Sequence, residues 1–355
     1  MHNGDLSIFP LQQSFPGALP HPVFIMTSLG PIFADDLARV KPGDRLRLTI
    51  SAQTSDAAAL AQAALEARAR GERVLVVCAD PADVPRLAQE MPWFEPKLAV
   101  RPLPDWETLP YDVLSPQEEL VSERLEALYR LTAPTGGADV LLTSAVTASQ
   151  RLSPVSYIGA NTFFFHQGEQ ISLTTLQKRL AAAGYANVKQ VLAAGEFAVR
   201  GSIVDVFPMG SERPFRLDFF DDEIESIRWF DVDTQRSMES AEEIRLLPGH
   251  EFPVDPEALL AFRQRWRREF AGDPKKSIVY CDIEKEILPP GIEYYLPLFF
   301  DETAALTDYL PPNARVFLLG DIEAALQAFG RDMASRYKVL AADPQRPALA
   351  PERSE

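Results

Sequence analysis

Cysteine is almost absent from this chain, with two residues, Cys78 and Cys281, among 355. That excludes a disulfide framework and, by cysteine alone, a structural zinc site. Histidine is nearly as scarce: His2, His21, His166 and His250 are scattered singly, so no imidazole cluster offers itself to a metal. No apolar run approaches the roughly 18 residues of a membrane span. The N-terminus carries Asp5 and no basic region ahead of its first apolar residues, so it does not read as a signal peptide. Positive charge is also in deficit, with 35 Lys and Arg against 51 Asp and Glu and a formal charge of −16. Such a surface repels phosphate backbones and argues against broad nonspecific nucleic-acid binding. A soluble, cytoplasmic protein is the expectation. What is present, 46% hydrophobic and 24% charged residues with 30 Pro and 18 Gly, is a globular composition. The length fits two or three domains.

Residues 1 to about 40 read as irregular, interrupted by Pro10, Pro16, Pro20, Pro22 and Pro31. An α/β pattern follows. Strands are expected at 45–51 (RLRLTIS), 74–79 (VLVVCA), 100–103 and 140–144 (VLLTS), with helices at 55–70, 82–90 and 118–131. The apolar strands suit a parallel sheet covered by helices. Ser115 is the expected cap of the third helix. After about residue 153 the texture changes. A helix at 172–183 has Leu173, Leu176 and Leu180 on one face, Ser172 as its cap and Gly184 at its end. Short strands are then expected at 188–192, 196–200, 202–207, 215–220 and 224–230, an α+β piece inserted into the α/β part. Helical patterns return at 256–270, 303–309 and 322–337, with a strand at 314–319.

Chemistry is conspicuous by what is missing. A phosphate loop at the first strand–helix junction needs glycines, a Lys and a Ser or Thr. Here the junction reads Ser51-Ala-Gln-Thr-Ser-Asp56, with neither Gly nor Lys. Leu217-Asp-Phe-Phe-Asp-Asp-Glu223 looks superficially like the acidic strand end of an ATPase, but it reads better as a turn between antiparallel strands. Cys78 sits in an apolar strand as a buried structural thiol, and Arg263-Gln-Arg-Trp-Arg-Arg268 reads as a solvated helix face around Trp266. The informative segment is FRLDFF at 215–220. Period two puts Phe215, Leu217 and Phe219 on one face and Arg216, Asp218 and Phe220 on the other. In EFAVR at 196–200, Phe197 and Val199 point one way, and Glu196, Ala198 and Arg200 the other. If these strands are neighbours, Arg200, Arg216 and Phe220 form an exposed patch with the composition of a protein–protein hot spot.

Four strings carry a family resemblance: Asp105-Trp-Glu-Thr-Leu-Pro-Tyr-Asp-Val-Leu-Ser-Pro116, Ser122-Glu-Arg-Leu-Glu126, Gly195-Glu-Phe-Ala-Val-Arg-Gly-Ser-Ile-Val-Asp-Val-Phe-Pro208 and the stretch 215–223. They resemble the N-terminal part of the bacterial transcription-repair coupling factors (Mfd), a part itself similar to the excision-repair protein UvrB. The resemblance runs from about Leu98 to Pro253 and more weakly to about Gly330. It implies a degenerate helicase-like α/β domain in two pieces, 1–153 and 233–342, with an inserted UvrA-binding domain at 154–232 and a linker at 343–355. It also implies a noncatalytic module that mimics UvrB and recruits UvrA to stalled RNA polymerase in nucleotide excision repair. By motif, Arg200, Arg216 and Phe220 carry over as UvrA contacts, and Glu196, Phe197 and Asp218 stand beside them as supporting residues by adjacency. No catalytic residue, cofactor or metal is expected. ATP, RNA polymerase and DNA belong to modules expected beyond residue 355, and the UvrA-binding face is expected to be masked within the longer protein. The damage-probing hairpin of UvrB has no room between Trp106 and the helix at 118–131, so damage reading is not expected. The competing reading is a nucleic-acid-dependent NTPase or direct DNA binder, which the missing phosphate loop and the acidic balance oppose.

Overall fold

A computed structural model of the chain describes residues 23–26, 45–48, 53–133 and 137–354. Part of the loop-less strand–helix junction, residues 49–52, lies outside them. In chain order the strands and helices are β1 (Val23–Met26), β2 (Arg45–Leu48), α1 (Gln53–Ala69), β3 (Val74–Cys78), α2 (Asp83–Phe94), β4 (Val100–Pro102), α3 (Glu118–Thr132), β5 (Val140–Ser144), α4 (Ala145–Ser149) and α5 (Val155–Ala160). Then come β6 (Phe163–His166), α6 (Leu173–Ala182), β7 (Ala186–Asn187), β8 (Glu196–Arg200), β9 (Ile203–Val206), β10 (Phe215–Phe220), β11 (Glu223–Phe230), β12 (Ser237–Ala241) and β13 (Glu243–Leu246). The chain continues with α7 (Pro256–Glu269), α8 (Ile278–Glu284), β14 (Arg315–Leu319), α9 (Ile322–Leu340) and α10 (Pro351–Ser354). It divides into two compact units, one from 1–101, 139–149 and 310–331, the other from 102–138, 150–309 and 332–355.

The first unit is the α/β part. Its sheet has the order β2-β1-β14-β3-β5-β4, and β14 runs parallel to both β1 and β3. β3 and β5 are buried along their whole length, which is why both read as unbroken apolar runs. Ala57, Ala61 and Ala64 of α1 share a core with Val76, Val140 and Phe317. Each fully buried side chain as large as Phe317 is worth about 1.5–3 kcal/mol. Cys78 is buried at the end of β3, and burial pushes its thiol up to about 12, so it is inert. Residues 23–26, expected to be irregular among their prolines, instead form β1 between β14 and β2. Val-Phe-Ile-Met is a four-residue run that only its long-range partners identify as a strand.

The second unit holds the inserted α+β sheet, ordered β12-β11-β10-β9-β8-β7. Ser172 caps α6 as expected, accepting from the Thr175 amide at 3.2 Å. Gly184 follows the helix at φ +90, and a Cβ there would lie 2.7 Å from His250, so both the backbone angle and the close approach require glycine. Three expectations need correction. Ser115 does not cap α3, whose first residue follows the extended Gln117; the Ser115 hydroxyl instead donates to Glu293 at 2.8 Å and accepts from the Gly291 amide at 2.9 Å. The strand expected at 188–192 is replaced by the two-residue β7, because Val188 and Val191 turn inward to pack with Ala198 and Phe230. Residues 237–246, expected to lead back into helix, form β12 and β13. β12 is exposed and polar (SMESA), so no alternation marks it.

In the same unit Trp266 is buried on α7 while Gln264, Arg267 and Arg268 are exposed, as the solvated-face reading of 263–268 has it, but Arg265 is largely covered and pairs with Asp301 at 2.6 Å. The acidic string at 217–223 is the β10–β11 hairpin. Phe220 pairs with Glu223 around Asp221 and Asp222, and Asp221 sits at φ 52.

Candidate protein-interaction site

The hairpin sheet in the second unit brings most of the predicted residues together. Antiparallel partners that lie directly opposite point to the same side of a sheet. The register therefore maps one face row by row. Ala198 lies opposite Asp205, Asp205 opposite Arg216, Arg216 opposite Arg228, and Arg228 opposite Ser240. The next row is Arg200, Ile203, Asp218 and Ser226. Beyond it, past an irregularity between Asp218 and Phe219, comes Phe220. The other face carries Phe215, Leu217 and Phe197, all buried.

Strands β8 and β10 are not neighbours, as the patch argument supposes; β9 lies between them. The patch forms all the same, because β9 supplies its organiser. The Asp205 side chain is fully buried and accepts from both flanking arginines. Arg216 grips it in two places, Nε to Oδ1 at 2.6 Å and Nη2 to Oδ2 at 2.9 Å, while Arg200 donates from Nη2 to Oδ2. Arg216 also donates to the Gln235 carbonyl and to Ser237 Oγ, both at 3.2 Å, and its guanidinium lies 5.0 Å from the Phe230 ring centre. The hydrogen bonds to Asp205 raise the Arg216 pKa above its already high ordinary value. The two arginines are consequently different. Arg216 is a fixed post, its side chain 16% exposed, and the Arg200 side chain, at 49%, is half open to solvent.

Local turn chemistry sets these positions. Arg200 and Ile203 pair across a two-residue turn that begins with Gly201 at φ +63, a value suited to a tight hairpin. This turn puts Arg200 at the end of the sheet on the same face as Phe220. Phe220 is 68% exposed, so it does not turn into the core at its strand end. Asp218 accepts from Ser226 Oγ at 2.8 Å on the same face.

The remaining two predicted residues have other work. Phe197 is 1% exposed on the opposite face, so the supporting role given to it by adjacency is packing and not surface contact. Glu196 folds back to accept from the amides of Leu192 and Ala193 at 2.7 and 3.0 Å, fixing the turn before β8. Sequence reasoning missed Asp205. Its signal was a carboxylate in the otherwise apolar run Ile203-Val-Asp-Val206, where a buried charge demands a partner.

Two guanidinium groups share one buried carboxylate beside an exposed ring, which suits recognition of an acidic and apolar surface.

The sheet that holds these residues lies within a stretch that matches known proteins. Residues 163–252, from the start of β6 to just past β13, match the family model of the UvrB interaction domain. The transcription-repair-coupling factor of Escherichia coli (strain K12) is 42% identical over 280 residues, 79% of this chain and 24% of that protein. The Haemophilus influenzae protein of the same name is 46% identical over 253 residues, 70% of this chain and 22% of its own length. That of Bacillus subtilis (strain 168) is 32% identical over 216 residues, 56% of this chain and 18% of that protein. The chain thus spans about a quarter of the length of the curated relatives it matches.

Proposed function

We propose that this chain is the N-terminal region of a transcription-repair-coupling factor, a noncatalytic module whose UvrB interaction domain mimics UvrB to recruit UvrA. The observation that carries the reading is the convergence of Arg200 and Arg216 on the buried Asp205, beside the exposed Phe220, within the matched residues. Such a face offers oriented charge-assisted donors and a large apolar side chain, the two ingredients of binding hot spots. Arg200, Arg216 and Phe220 are the contacts in this reading, Asp218 lies beside them, and Glu196 and Phe197 support them from within.

The noncatalytic part of the proposal rests on the first strand–helix junction. Asp56, in the first turn of α1, is held by Arg86 through bonds of 2.6 and 3.0 Å, and Arg86 also pairs with Asp83 and Glu90. A carboxylate fixed in that turn takes the place electrostatics would reserve for phosphate. No cofactor is assigned to the chain. Contacts with RNA polymerase and DNA, and any ATP-driven step, are assigned to other parts of a longer protein. Within that protein another segment covers the Phe220 face until UvrA is needed. No helix among the described residues is long and apolar enough to cross a membrane, and the proposed location is the cytoplasm.

The test is calorimetric titration of UvrA into this chain and into its R200A/R216A variant. Binding by the wild type that the variant loses, with the variant still folded, is the expected result. Equal binding by both would overturn the assignment of the site. No binding by the folded wild type would overturn the recruiting role. ATP turnover by the chain would overturn the noncatalytic part.

A further inference from the structure

One residue on the same face has no place in the reading so far. Arg228 lies directly opposite Arg216 across β10 and β11 and is exposed. Like charges directly opposite on a sheet cost stability, so such a pair needs a reason. Arg216 is neutralised by Asp205 and stacked on Phe230. The Arg228 side chain makes no hydrogen bond, ion pair or ring contact with any described residue. Its neighbour on the far side is Ser240, which offers no charge.

The charge on the face follows from the same map. Arg200, Arg216 and Arg228 share the face with Asp205, Asp218 and Glu223, the last opposite Phe220, so the face carries no positive excess, on a chain whose formal charge is −16. Asp205 is already shared by two arginines, and Asp218 accepts from Ser226. Two guanidinium groups on the face are held by Asp205 and one is uncommitted. A guanidinium is weakly hydrated and gives up water readily to a planar carboxylate, more so than an ammonium group.

Resting on the UvrA-recruiting reading, we propose that Arg228 is a further contact residue of this face, reading a carboxylate on an acidic patch of UvrA that adjoins an apolar socket for Phe220. The exposed Arg228 guanidinium, with no partner among the described residues, commits that part of the face to a carboxylate. The single unpaired guanidinium is where the charge match is completed, and Arg216, already engaged, is the post beside it.

The experiment titrates UvrA against the whole chain as wild type, R228A, R228K and R228E, at low and high salt, with R200A/R216A alongside. R228A is expected to weaken binding about tenfold and R228E about a hundredfold, chiefly in association rate, the loss shrinking as salt rises. R228K keeps the charge and loses less. The unfolding midpoint of R228A stays at or above wild type, since the substitution relieves the repulsion with Arg216; an arginine with a merely structural role would lower it. Wild-type affinity and salt dependence in both R228A and R228E, with binding still lost in R200A/R216A, would overturn this inference alone. Tighter binding by R228E would overturn it as well, since the facing surface would then be basic. A folded wild-type chain that does not bind UvrA would overturn the recruiting role and this inference with it.

Discussion

Asp205 and Arg216 face each other across β9 and β10, the carboxylate fully buried and the guanidinium donating to both of its oxygens at 2.6 and 2.9 Å. In the proposed site this pair turns an alternating strand into a contact surface. The carboxylate fixes the direction of Arg216 and still has capacity to steady Arg200 from the other side. A buried charge held by one partner alone would be costly; shared between two, it tips the local balance to positive.

Asp205→Asn tests that role. The amide keeps the shape and removes the charge, leaving two guanidinium groups around a neutral acceptor. Loss of one partner of a fully buried pair costs about 3–5 kcal/mol, and the access of Arg200 to water reduces this to roughly 2 kcal/mol. Urea unfolding of the chain measures the loss. UvrA affinity is expected to fall about tenfold or more, because the arginines lose their orientation. Wild-type stability and affinity in D205N would show that the arginines hold themselves without it.

Two adjacent phenylalanines give opposite predictions. Phe219 is 5% exposed and Phe220 68% exposed, since successive strand residues point to opposite faces. Phe219→Ala is expected to destabilise the chain by about 3–5 kcal/mol. Phe220→Ala is expected to change stability by no more than about 0.5 kcal/mol while weakening UvrA binding at least about tenfold. Paired denaturation and binding curves decide it. A destabilised F220A protein would mean that its ring packs in solution, and the surface would lose its apolar anchor.

What was legible in sequence was whatever is local. Three alternating positions in FRLDFF set the parity that exposes Phe220, and Gly201 marks the turn that leaves Arg200 at a sheet end. The α/β pattern was visible because β3 and β5 are buried throughout and so uniformly apolar. What failed was whatever depends on distant partners. Asp205 gains its meaning only when β9 is registered between β8 and β10. Ser115 fits the sequence rule for a helix cap, but its hydroxyl is taken by Gly291 and Glu293, more than 170 positions away. Arg228 is not legible in the sequence, because single-strand alternation cannot reveal the like charge across the ladder from it.

The buried pair Arg124 and Glu251 yields a prediction about the fold. Arg124 donates from Nε to Glu251 Oε1 at 2.6 Å and from Nη1 to the Pro104 carbonyl at 2.8 Å, and Trp106 Nε1 donates to the same Glu251 oxygen at 3.1 Å. The guanidinium also lies 5.0 Å from the Trp106 ring centre. Glu251→Ala strands a buried cation and leaves the indole N–H without its acceptor, so a loss of about 3–5 kcal/mol is expected. The R124M/E251M double variant, with both charges gone and the volume largely kept, is expected to lose less than either single alanine variant. A double variant as unstable as the sum of the singles would show that the pair adds nothing beyond its individual contacts.

The final prediction concerns pH and rests on two groups with opposite signs. Burial raises the Glu293 carboxyl from its ordinary 4.5 to about 7, against the opposing hydrogen bond from Ser115. Burial lowers His250, stacked on Phe252, from 6.5 to about 4. For Glu293 the folded state holds the proton more tightly than the unfolded one, so its contribution is complete below pH 4.5 and is lost as pH rises through 7. For His250 the unfolded state takes the proton first, so its contribution is complete above pH 6.5 and is lost as pH falls through 4. Between pH 4.5 and 6.5 the two slopes therefore oppose each other. Glu293→Gln removes the falling slope, and stability is expected to rise with pH across that window more steeply than in the wild type. His250→Gln removes the rising slope, and the opposite change is expected, with stability falling toward pH 7. Urea unfolding at several pH values, read as each variant's difference from wild type, cancels the background from every other titrating group. A flat difference profile for either variant would show that the group it removes titrates normally in the folded chain.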